Sequence, residues 1–165
     1  MHTVNIYTEG VIPSYAHTDD SGFDLYASED VYIPGLLSLL RPDTECTKDT
    51  KYWALVPTTL QIDIPQGHEV QVRSKSGLAL KQGLFVLNSP GTIDRSYIGQ
   101  IGVILANLGE STLIKKGQKI AQGVLCTVEK ADLTYVKPWD EPLFTDRDDD
   151  FDTGRGDGGF GSTGI

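Results

Sequence analysis

Several features that usually place a protein are scarce or missing in this sequence. It has two cysteines, Cys46 and Cys126, in 165 residues. Their separation matches no metal-ligand spacing and no disulfide framework, which suits a reducing compartment. Long apolar runs are absent. The longest patch, Leu36–Leu40, is too short to span a bilayer, and the N-terminus has neither an apolar signal core nor a basic amphipathic stretch. A cytoplasmic location with no membrane partner is expected. Positive charge is scarce: 14 bases face 23 acids, for a net charge of −9. That balance excludes a nucleic-acid partner held by phosphate neutralisation. No glycine loop leads into Lys-Ser or Lys-Thr, so P-loop chemistry is excluded as well. An anionic ligand has to be held locally, by a few cations, backbone N–H groups or a metal.

Turns and short strands are plentiful. The 18 glycines and 8 prolines punctuate runs with period-2 alternation. Val4 and Ile6 open one run and Val31–Ile33 form another. Tyr52–Pro57 reads as a buried strand. Leu60, Ile62 and Ile64 alternate with polar neighbours, as do Val70 and Val72. Ile101–Leu105, Thr112–Ile114 and Val124–Val128 continue the series. Short strands at this spacing predict an all-β barrel or sandwich. One short helix is expected at Gly77–Gln82, with Ser76 as its N-cap. There is no internal repeat.

The length suits one domain, with roughly 70% of the unfolded chain's surface buried. Residues 1–139 are expected to form it. An acidic linker, 140–153, and a glycine-rich arm, 154–165, should follow. From 140 onward eight acids face two arginines, so most of the net charge lies there. Residues 41–50 read as an exposed polar loop.

Five segments stand out from the strand pattern: Ser21–Ala27, Arg73–Ala79, Asn88–Ile101, Gly117–Gln122 and Gly154–Gly164. Each has an ordinary explanation: a strand entry, a capped helix start, a hairpin with a tight turn, a turn into a strand, a flexible tail. Together, in this order, they resemble the five motifs of the trimeric dUTPase family (deoxyuridine 5'-triphosphate nucleotidohydrolases). The likeness covers the chain from about Gly22 to Gly164. It implies a jelly-roll-like β-barrel, the β-clip of that family, with a mobile C-terminal arm.

It also implies an activity, the hydrolysis of dUTP to dUMP and pyrophosphate with Mg2+. Asp94 matches the aspartate that activates the attacking water. Tyr97 matches the tyrosine that packs under the deoxyribose and leaves no room for a 2′-hydroxyl. Asn88, Gly91, Thr92 and Ile93 belong to the hairpin that reads uracil. Asp24 matches the carboxylate that holds Mg2+ through coordinated water. Ser76, Gly77 and Gln122 match phosphate contacts. In the arm, Arg155 would grip the γ-phosphate, Phe160 would stack on uracil, and Gly161, Ser162 and Thr163 would bind phosphate oxygens. The family is a homotrimer with shared active sites.

One departure stands out. The family string reads Pro-Arg before Ser-Gly, where this chain has Ser74-Lys75. Lysine keeps the charge and loses the planar fork. Arg73, on the same strand face as Lys75 if the strand persists that far, is the expected compensation. Three other readings compete. The first is another enzyme on a related fold, a dCTP deaminase or its bifunctional relative, against which the uracil hairpin with Gly91-Thr92-Ile93-Asp94 and the complete fifth motif speak. A trimeric regulatory protein would use the pocket as a switch, with loop 41–50 as the place for a protein partner. A capsid-like barrel leaves all five segments unexplained.

Overall fold

The computed structural model describes residues 3–41, 47 and 49–135. The chain divides into two compact units, Met1–Glu129 and Lys130–Ile165. The expected linker and arm lie outside the described residues, as do residues 42–46 and 48 of the polar loop. Of the second unit, residues 130–135 carry no regular element, and Leu133 and Tyr135 are exposed.

The first unit is all-β, as the alternation predicts. Among the described residues eleven strands run in chain order: β1 (Asn5–Tyr7), β2 (Phe23–Tyr26), β3 (Val31–Ile33), β4 (Trp53–Pro57), β5 (Gln61–Asp63), β6 (His68–Ser74), β7 (Leu84–Val86), β8 (Gly91–Ile93), β9 (Gly102–Asn107), β10 (Thr112–Ile114) and β11 (Lys119–Thr127). All pairings are antiparallel. They make four sheets, ordered β1-β5, β3-β10, β2-β11-β6-β8 and β4-β9-β7. Leu25, Ile33, Val56, Val70, Leu105 and Ile114 are fully buried and belong to one core. They come from all of the larger sheets, so sequence-distant strands share one apolar interior.

Among the described residues two short helices interrupt the strands, one more than expected. The added one, α1 (Leu36–Leu39), is a single turn inside the apolar patch noted above. It is held by non-local contacts rather than by its own propensity. Leu37 N–H donates to Gly109 O, and Ser38 Oγ donates to Glu110 Oε2 at 2.6 Å. No periodicity signals so short an element.

The second, α2 (Ser76–Gln82), lies where a helix is expected. Its cap is Lys75, in extended conformation, with no side-chain cap hydrogen bond. Ser76 is therefore the first helical residue and not the cap. The helix ends at Gly83, whose φ of 69° is the left-handed conformation that glycine adopts without steric cost.

Candidate active site

The sheet β2-β11-β6-β8 gathers the first four segments. Each strand carries one of them, or leads into it. Gln122 on β11 lies opposite Asp24 on β2 and opposite Arg73 on β6. Directly opposed residues of antiparallel strands share a face, roughly 5 Å apart at Cβ. Asp24, Gln122 and Arg73 thus form one row across three strands.

Asp24 is buried, 3% exposed, yet both its oxygens are engaged by ammonium groups. Lys75 Nζ lies 2.5 Å from Oδ1 and Lys119 Nζ lies 2.7 Å from Oδ2. Burial pushes the Asp24 carboxyl up. The hydrogen bonds and charges of Lys119 and Lys75 outweigh it and hold the group below its ordinary value. The same hydrogen bond and charge raise the Lys119 ammonium, whose Nζ also sits 5.9 Å from the centre of the Tyr26 ring. Two cations on one carboxylate leave a net positive cluster, which is suited to an anion.

Lys119 was not among the residues expected from the sequence. The signal was present, since it is the one base between Gly117 and Gln122. A lysine in a turn-to-strand segment has too many solvated precedents to be singled out without its partner in view.

Arg73 takes partners other than that of Lys75. β6 ends at Ser74, so the two bases do not continue one strand. The Arg73 guanidinium turns along its own strand, with Nε and Nη2 at 3.2 and 2.7 Å from Gln71 Oε1 and Nη2 at 3.7 Å from Cys126 Sγ. Lys119 is the second cation beside Lys75. The other half of the Ser74-Lys75 departure has its own use. Ser74 Oγ accepts the Val86 N–H at 2.9 Å and so ties the end of β6 to β7, a contact that proline lacks the side chain to make.

Lys75 leads directly into Ser76 and Gly77 at the start of α2. The first N–H groups of a helix have no acceptor within it, so those of Ser76 and Gly77 are donors for something else. A Cβ at Gly77 would meet nothing within 4 Å, and its φ is not left-handed. Neither packing nor backbone within this chain selects glycine there.

The segment Asn88–Ile101 is not a paired hairpin. Its strand β8 pairs with β6, through Val70–Ile93, Gln71–Thr92 and Val72–Gly91, while β7 before it pairs with β9. The segment is a turn, a strand borrowed by another sheet, and a second turn. Within it Asn88 and Gly91 come together: a Cβ on buried Gly91 would lie 3.1 Å from Asn88 Nδ2. The Ser89–Pro90 peptide between them is cis. Thr92 is exposed and Ile93 half-buried.

Asp94 follows β8 directly, with its side chain exposed. The Tyr97 N–H donates to the Asp94 carbonyl at 3.0 Å, which folds Asp94–Tyr97 into one turn. Tyr97 Oη donates to Gln100 O at 2.8 Å. An exposed carboxylate and an aromatic ring thus leave the same turn at the end of the sheet. Arg155, Phe160, Gly161, Ser162 and Thr163 lie outside the described residues.

Among the described residues no group of three or more His, Cys, Asp or Glu could hold a metal. The one carboxylate expected to meet Mg2+, Asp24, has an ammonium on each oxygen, so direct coordination does not fit. A carboxylate accepts about four hydrogen bonds, so a contact through a coordinated water is the form that fits. An open cavity of about 690 Å³ lies elsewhere, lined by Leu37, Leu80, Gly83, Leu108 and Thr112 among others, and no candidate residue borders it.

A protein-family model described as dUTPase matches residues 8–164. Among curated relatives, the deoxyuridine 5'-triphosphate nucleotidohydrolase of Gloeothece citriformis is 42% identical over 156 residues, covering 94% of this chain and 90% of that protein. The protein of the same name from Chlamydia muridarum is 44% identical over 157 residues, covering 93% and 90%. Among solved structures, a mutant dUTPase of Staphylococcus bacteriophage 80alpha with dUpNHpp superposes with a TM-score of 0.73 at 21% identity over 100% of both chains. A mutant dUTPase from phage phi11 of S. aureus, described for its coordination of a structural Mg(II) ion, gives 0.68 at 20% identity, covering 82% of this chain and 97% of that one. At such identities the two structures speak for the fold.

Proposed function

The chain belongs to the dUTPase family, and on that premise we propose that it hydrolyses dUTP to dUMP and pyrophosphate. The reaction removes dUTP before it enters DNA and supplies dUMP for thymidylate synthesis. The observation that carries the reading is the turn at the end of β8, which joins the Asp94 carboxylate to the Tyr97 ring.

Asp94 is the base. Its exposed carboxylate accepts a proton from water as that water attacks the α-phosphorus. The bond from the α-phosphorus to the bridging oxygen breaks, and pyrophosphate leaves with the electron pair. Tyr97 lies under the deoxyribose. Asn88, over Gly91, addresses the uracil edge together with the backbone of Thr92 and Ile93. Donors and acceptors committed to uracil, once the bound base covers them, reject cytosine, because a mismatched base leaves them unpaired.

The triphosphate runs along Lys75, Ser76 and Gly77, with Gln122 in the row behind. Lys75 uses one of its three donors on Asp24 and keeps two for phosphate oxygens. Mg2+ on the triphosphate would offset its charge, with Asp24 in contact through coordinated water. The arm residues Arg155, Phe160, Gly161, Ser162 and Thr163 close over the nucleotide and exclude water.

The active assembly is a homotrimer in which the arm of one chain completes the site of another. Exposed apolar side chains such as Leu55, Leu80 and Ile98 give a single chain surface to cover. Among the described residues no helix is long and apolar enough to cross a membrane. A cytoplasmic location is part of this reading.

Hydrolysis in water enriched in heavy oxygen tests the point of attack. The label should appear in dUMP. Label in pyrophosphate would mean attack at the β-phosphorus and would overturn the assignment of Asp94 as base to water at the α-phosphorus.

A further inference from the structure

The backbone at Gly99 does not call for glycine, because its φ lies outside the left-handed region. What leaves no room for a side chain is Tyr97. A Cβ built on Gly99 would lie 2.7 Å from Tyr97 Oη, 2.8 Å from Cζ and 3.2 Å from Cε2. The outer half of the phenol ring therefore rests against the Gly99 α-carbon. From that seat Oη reaches the next carbonyl, Gln100 O, at 2.8 Å. The other end of the residue is fixed by its N–H to Asp94 O.

We propose that Gly99 is a positioning residue for sugar discrimination. The space left by its missing side chain seats the Tyr97 ring at the height where it meets C2′ of the nucleotide, and the Gln100 carbonyl pins it there. This rests on the role of Tyr97 in the proposed function and adds how the chain sets the ring. A platform rejects a 2′-hydroxyl only if it cannot retreat. Tyr97 is 45% exposed, so a surrounding core does not hold it back. The stiffness has to come from its own loop: a turn, a bare α-carbon and a carbonyl. A methyl group at position 99 must displace something, and the ring, half in solvent, is the part that can swing. The sheets behind it have no need to move. Selectivity should then change while stability does not.

The test is kcat/KM for dUTP and for UTP in the full chain, compared between wild type and Gly99→Ala, with melting temperature alongside. An apolar wall rejects an added hydroxyl by on the order of 10², so unseating it should lower the dUTP-to-UTP ratio about tenfold. The KM for dUTP should rise and the melting temperature should stay within about 2 °C. A folded Gly99→Ala with the wild-type ratio overturns the proposal. If Gly99→Ala does not fold, Tyr97→Phe decides: it keeps the ring and removes the pin. A lowered ratio supports the proposal and an unchanged one overturns it. A wild type that does not prefer dUTP to UTP sinks the role of Tyr97 itself, which separates that failure from this one.

Discussion

Lys119 Nζ lies 2.7 Å from Asp24 Oδ2, opposite the oxygen that Lys75 holds. The pair makes Asp24 an anchor for two cations, while Arg73 is turned to Gln71. Lys119→Met should therefore raise the KM for dUTP by about tenfold with kcat little changed, the pattern of lost uniform binding. Lys81→Met, an exposed helix lysine outside the site, should leave KM where it was. Equal effects at the two positions would reduce Lys119 to a general contribution to surface charge.

The same cluster makes folding stability depend on acid. The folded Asp24 carboxyl titrates below its ordinary value, despite the burial that opposes this. As pH falls, the unfolded chain takes up the proton first. The contribution of Asp24 is thus full above the ordinary carboxylate range and is lost as pH drops through the lower folded value. Asp24→Asn should cost about 2 kcal/mol at neutral pH, and the gap to wild type should close in acid. Denaturant unfolding across that pH range, without nucleotide, reads it. A variant as stable as wild type at neutral pH would mean that the two ion pairs contribute nothing net.

Much of this was legible in the sequence, and the limits have physical reasons. Alternation at Leu60–Ile64 and Val70–Val72 marks half-buried strands because a strand's two faces meet different surroundings. β7 gave less signal, since three residues flanked by a helix end and a turn carry no period to read. The five segments gave the family. They did not give the partners of individual charges. Arg73 and Lys75 are two residues apart, yet one turns back along its strand to Gln71 and the other crosses to β2. Local sequence names neither partner, and a boundary such as the end of β6 is the least determined part of an element. Lys119 meets Asp24 only because β11 pairs with β2, a contact between residues 95 apart in the chain.

Sites shared between subunits, as proposed, would allow complementation. Asp94→Asn and Phe160→Ala should each be inactive or nearly so alone. Mixed subunits, refolded together, should recover activity, because some sites would take an intact Asp94 from one chain and an intact arm from another. The recovered activity should follow the statistics of random assembly into trimers. No recovery in co-assembled chains would place the arm over its own subunit's site and contradict the shared arrangement.

Activation of water by Asp94 against dUTP is read out by pyrophosphate release. Wild type and Asp94→Asn are compared with dUTP, dTTP, dCTP and UTP in the presence of Mg2+. Strong turnover of dUTP alone is expected, with a loss of about 10³-fold or more in kcat on removing the base, at the upper part of what a general base contributes. The same melting temperature for the two proteins would show that the fold is intact. Turnover of dUTP undiminished in Asp94→Asn, or none by folded wild type, would contradict that activation.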